Sequence, residues 1–123
     1  MNLNDPGAWV KQDLGTTVNA GDTLAVMFSA MGGDQFTTKA GMIDVSFLIG
    51  STEYSQTFDL TSTHAVNTWG ALTLTKIIGV SGNLSVIFRN HYVEGDRLPY
   101  NWGPGNISRA WLDNVSDVSV THP

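Results

Sequence analysis

Apolar and polar residues alternate one for one along much of this chain, a pattern that a half-buried β-strand can satisfy and a helix cannot. Thr23-Leu-Ala-Val-Met-Phe-Ser29 places Leu24, Val26 and Phe28 on one face. Ile43-Asp-Val-Ser-Phe-Leu-Ile49 sends Ile43, Val45, Phe47 and Ile49 inward and Asp44 and Ser46 outward. Tyr54–Phe58 is a shorter segment of the same kind. Trp69–Thr75 carries Leu72 and Leu74 on one face and Trp69, Ala71 and Thr73 on the other, and Leu84–Phe88 aligns Leu84, Val86 and Phe88. A last strand starts at Ala110 and continues through Val118 and Val120. Turn-forming clusters separate these runs: Asn19-Ala-Gly-Asp22, Met31-Gly-Gly-Asp34, Gly50-Ser51 and Ser81-Gly-Asn83. No stretch of a dozen residues carries a helical apolar stripe.

Short strands joined by Gly, Asn and Ser turns predict two antiparallel sheets packed face to face, an all-β sandwich of jelly-roll type. A length of 123 residues fits one domain, residues 1–123, with a core large enough to need no staples. Charged residues are 14% of the chain, against roughly 25% in ordinary soluble domains. Thr, Ser, Asn and Gly take their place, as in β-rich extracellular proteins. The net charge is −5, and Lys11, Lys39, Lys76, Arg89, Arg97 and Arg109 are scattered, so the clustered cations that nucleic acid requires are missing. Without cysteine there is no thiolate metal site, cysteine nucleophile or disulfide framework. No apolar run is long enough to span a bilayer, and the start lacks a signal-peptide pattern. The expectation is a secreted module cut from a longer protein.

Residues that carry catalysis are hard to find. Glycoside hydrolysis needs two carboxylates across a cleft, whereas the acids here sit mostly beside turns or in polar strand phases. His64, His91 and His122 lack metal-ligand spacing, and His122 sits at an end expected to fray. There is no Gly-x-Ser-x-Gly elbow and no glycine loop leading into a helix. The chain reads as a binding protein and not an enzyme. Three Asn-x-Ser matches, at Asn83, Asn106 and Asn114, are what an Asn- and Ser-rich chain yields by chance, and Asn114 falls in an expected strand.

The aromatic residues are more informative. Trp69 and Trp111 are out of phase with Leu72, Leu74 and Leu112. Tyr92, Tyr100 and Trp102 belong to a loop region that includes Leu98-Pro-Tyr-Asn-Trp-Gly-Pro-Gly-Asn106. Trp9 reads as packing near the N-terminus. Each other ring has two readings: a cover over the sandwich or a staple for a loop, or part of a recognition surface. The apolar C–H face of a pyranose complements an indole face, and ring hydroxyls want paired donors and acceptors. Arg89, Gln56 and Asn101 are the polar partners this reading selects, and rings along one sheet face would form a platform for a β-linked glucan.

Several stretches resemble jelly-roll carbohydrate-binding modules: Val18-Asn-Ala-Gly-Asp-Thr-Leu-Ala-Val-Met-Phe28 at the entry to a strand, Trp69 with Leu72-Thr-Leu-Thr75, and Trp111-Leu-Asp-Asn-Val-Ser116 at the closing strand. Among named groups the chain is most similar to the β-glucan-binding family eighty-one. The resemblance implies a module that binds cello-oligosaccharides, mixed-linkage glucan or xyloglucan and targets an attached bacterial glycoside hydrolase. It also implies a structural calcium at Asp113, with Asp22 and Asp5 as partners, although the N-terminal Phe-Glu element of these families is absent here. The other reading of Asp113 is a hydrogen bond to backbone amides at a bulge. The rival for the whole chain is a cell-surface adhesion or structural domain that binds a protein partner.

Overall fold

The computed structural model describes residues 2–3, 9–33, 42–60, 68–91 and 109–123. Among them are nine strands: β1 (Asn2–Leu3), β2 (Trp9–Val18), β3 (Thr23–Gly33), β4 (Met42–Ile49), β5 (Thr52–Asp59), β6 (Gly70–Ile77), β7 (Gly82–Asn90), β8 (Arg109–Asp113) and β9 (Ser119–Thr121). They form two antiparallel sheets, a β-sandwich. Sheet A has the order β1-β8-β3-β6, and sheet B the order β2-β7-β4-β5. β9 pairs with the first part of β3 and β8 with the last part, so the two share one flank of β3 and each sheet is four strands wide.

The alternating residues do what their spacing requires. Leu24, Val26, Phe28 and Ala30 of β3 face Ile43, Val45, Phe47 and Ile49 of β4 across a core completed by Leu74, Leu84, Val86, Phe88 and Leu112, all buried. Phe28 sits at its centre, edge-on to Phe58 at 5.3 Å and to Phe88 at 5.4 Å between ring centroids. Each such side chain contributes roughly 1.5–3 kcal/mol by leaving water.

Two sequence expectations are corrected, and one strand is added that the sequence pattern does not show. Met31-Gly-Gly is no turn: β3 continues through Gly33, where the flat glycine backbone pairs with Ala110 and Arg109. The closing strand is broken into β8 and β9, because Asn114 takes a φ of 51° and steps the chain out of register. Asn114 is therefore an exposed residue in that break and lies in no strand. β2 carries little apolar alternation, since Gln12 sits in its inner phase between Val10 and Leu14.

The two ends of the sandwich differ. At one end the connections are tight. Gly50-Ser51 closes the β4–β5 hairpin with a φ of 61° at Gly50, which suits a residue without Cβ. The 19–22 turn is tied to the neighbouring turn by Gly21 N donating to Ile78 O at 2.7 Å and Ala20 N to Ser81 Oγ at 2.9 Å. Tyr54 joins there too, its hydroxyl accepting from Gly79 N at 2.8 Å. The opposite end receives the C-termini of β1, β3, β5 and β7 and the N-termini of β2, β4, β6 and β8.

Candidate functional site

The outer face of sheet A follows from its register. β3 and β6 pair from Thr23↔Ile77 to Ala30↔Gly70, so Trp69 stands one position beyond the last pair, alongside Met31. Met31 pairs on its other side with Trp111, which in turn pairs with Asn2. The backbone thus sets Trp69, Met31 and Trp111 in one cross-strand row in the outer phase, with the tryptophan backbones two strand spacings, about 10 Å, apart. Trp69 is 47% exposed. The next row along the strands is Ala71, Ser29 and Asp113, and the one after it holds Thr73 and Met27. Hydroxyls and a carboxylate therefore border the tryptophan row. The same face also carries exposed Met27 and Ile77, whose apolar surface runs towards the tight end.

A side chain keeps this face continuous where β8 gives way to β9. Ser116 N donates to Met27 O at 2.8 Å, and Ser116 Oγ accepts from Met27 N at 2.9 Å, so both backbone groups of Met27 stay bonded across the break. At the start of the break Asp113 Oδ1 accepts from Asn114 N at 2.9 Å. That is the bulge role open to Asp113 in sequence.

The residues do not fit a calcium shared by Asp113 and Asp22. Asp113 pairs with Ser29 and Asp22 precedes Thr23, so the length of β3 holds them about 20 Å apart. The carboxylate of Asp22, which is 1% exposed, is also already engaged. Its Oδ2 accepts from Asn19 N at 2.9 Å and its Oδ1 from His122 Nδ1 at 2.7 Å. The Asn19 amide first, then His122, holds its pKa below the usual carboxylate value against the opposing effect of burial. His122 is therefore latched to the fold. No group of three or more metal-ligating side chains gathers among the described residues.

The polar partners selected from sequence lie elsewhere. Arg89 is on the outer face of sheet B, between Trp9 and Asp44. Gln56 is in the inner phase of edge strand β5, opposite Val45, and is exposed at the rim. The sandwich separates both from Trp69. Tyr92, Tyr100, Asn101 and Trp102 lie outside the described residues, as do Asp5 and His64, and the side chain of Trp111 does too. Trp9 departs from its expected packing role: it is 61% exposed, and Val10 beside it turns to the core.

A small apolar cavity of about 100 Å³ opens between the sheets, lined by Val10, Gln12, Val86, Phe88, Leu112 and Val115. It is lined from both sheets and lies on the inner side of sheet A, away from the outer tryptophan row. No protein-family model, curated protein or solved structure matches the chain.

Proposed function

We propose that this chain is a secreted, non-catalytic carbohydrate-binding module whose strand orders reflect jelly-roll winding and whose outer sheet A face receives a β-linked glucan. The observation that carries the proposal is the row Trp69, Met31, Trp111, with Trp69 half in water. An indole exposed on a rigid sheet forgoes burial energy, and a pyranose C–H face can return it. A planar row suits an extended chain, with one tryptophan beneath each of two separated sugars. Ser29, Thr73 and Asp113 then meet ring hydroxyls, the hydroxyls as donors or acceptors and the carboxylate as acceptor. Each stacked ring contributes on the order of 1–3 kcal/mol, by analogy with bases on aromatic side chains. Two of them, less the ordering of the sugar, correspond to micromolar affinity, roughly −8 kcal/mol. In this proposal the attached partner is a glycoside hydrolase that the module holds against its substrate.

A second reading is favoured by Met27 and Ile77. Their exposed apolar surface extends the row along β3 and β6 and suits the protein partner of an adhesion or structural domain. Electrophoresis through gels containing soluble β-glucans separates the two: retardation by at least one glucan is expected, and free migration through all of them favours the protein partner. Release of reducing sugar from any of the glucans by the isolated chain would contradict the non-catalytic assignment.

A further inference from the structure

A second cross-strand row lies on the opposite side of the sandwich. Trp9 of β2 stands opposite Arg89 of β7, Arg89 opposite Asp44 of β4, and Asp44 opposite Thr57 of β5, so each strand of sheet B contributes one residue to a single line. Trp9 begins an edge strand and is more exposed than Trp69. The polar members are pre-ordered. Thr57 Oγ1 donates to Asp44 Oδ1, and His91 Nδ1 lies 2.9 and 3.0 Å from the two Asp44 oxygens. With Nδ1 donating to the carboxylate, Nε2 is the ring's remaining polar atom. Arg89 reaches Glu53 only at 3.8 Å, beyond hydrogen-bond length, so among the described residues its planar fork of N–H donors is left for another partner.

The charges on this face narrow the ligand. Lys11 and Arg89 are met by Asp13, Asp44 and Glu53, and Lys11 is drawn to Asp13 at 3.5 Å. Among the described residues there is no cationic excess on this face to attract an anion or a nucleic acid. What remains among the described residues is one exposed indole beside a planar fork of donors, a carboxylate and an imidazole. That set matches a neutral molecule with an apolar face and adjacent hydroxyls.

We propose that the Trp9, Arg89, Asp44 row is a second binding site for a neutral glycan, facing away from the first, so that one chain holds two glycan strands at once. Trp9 stacks on a sugar face, Arg89 donates to two neighbouring hydroxyls, Asp44 accepts, and His91 adds a further polar contact through Nε2. The ligand class is that of the Trp69 shelf but no residue is shared, so the two sites stand or fall separately.

Calorimetric titration of the chain with a cello-oligosaccharide, followed in parallel by backbone amide NMR, tests this. The expected result is two ligands per chain, with shifts at Lys11, Asp44 and Arg89 as well as on β3 and β6. Trp9→Ala and Trp69→Ala should each reduce the stoichiometry to one. Trp9→Ala should also abolish the ability of the chain to cross-link a soluble glucan into a precipitate. Arg89→Gln, within a paired strand, should weaken the same site tenfold or more, which guards against a folding defect in Trp9→Ala. One ligand per chain, unaffected by Trp9→Ala and Arg89→Gln, overturns the second site and leaves the Trp69 shelf standing. Binding lost in Trp9→Ala yet unchanged in Trp69→Ala keeps the second site and removes the shelf. No heat and no shifts with neutral glycans overturns both.

Discussion

Asp22 shows how one side chain can close a fold from its edge. Its backbone N–H donates to Asn19 O at 3.0 Å, its carbonyl accepts from Ile78 N at 3.0 Å, and its carboxylate takes the Asn19 amide and the ring of His122. Because these bonds favour the ionised form, its folded pKa lies below the ordinary carboxylate value, and the unfolded chain binds the proton more readily. The stability Asp22 confers is therefore complete above the unfolded value, near pH 4, and is lost as pH falls through the folded one. Urea titrations at pH 7 and pH 3 should show Asp22→Asn with a lower midpoint at pH 7 and a smaller loss on acidification than the wild type. Equal losses would contradict this role. In the core, Phe28→Ala removes the ring shared by Phe58 and Phe88 and should cost about 3–5 kcal/mol in the same assay.

At the scale of elements, the break between β8 and β9 depends on Ser116, whose hydroxyl stands in for a missing strand carbonyl. Ser116→Ala leaves the Met27 amide to water and should cost about 1 kcal/mol, with faster hydrogen exchange at Met27 and little change at Val26. Uniform acceleration across β3 would contradict a local role. The strands that sequence makes legible, β3, β4 and β7, are those whose inner phase is aliphatic or aromatic for most of their length. β2 escapes notice for a physical reason: an edge strand buries less, so Gln12 is tolerated inside and the alternation dissolves. Edge strand β6 likewise places Lys76 in its inner phase opposite Leu24, a charge that discourages pairing with another chain. The break at Asn114 was hidden because Val115, Val118 and Val120 continue an apolar rhythm through residues that are no longer paired as one strand. Phase identified Trp69 as outward-facing, since Leu72 and Leu74 define the inside. It could not show that Arg89 belongs to the other sheet, because which strands become neighbours is decided by register and crossing connections. For the same reason Trp9 looked like packing: only its pairing with Arg89 reveals an outer position.

For the whole molecule, the sandwich keeps its two outer faces apart while one core supports both. The tight end, tied by the 19–22 and 78–81 turns and by Tyr54, stabilises the sheets without contributing to either tryptophan row. The opposite end brings together the starts of β2, β6 and β8 and the end of β3, and with them Trp9, Trp69 and the row through Met31 and Trp111. Trp9, Met31 and Trp111 sit on paired backbone near the same end and Trp69 one residue before the first pair of β6, so a rigid scaffold would limit the ordering cost of any ligand held there. The most direct measurement is calorimetric titration of wild type and Trp69→Ala with a β-glucan oligosaccharide, alongside their urea midpoints. Micromolar binding at the sheet A site in the wild type, a loss there of tenfold or more in the variant and matching midpoints are predicted. Superimposable isotherms from two equally stable proteins would contradict the glycan-binding role of the shelf.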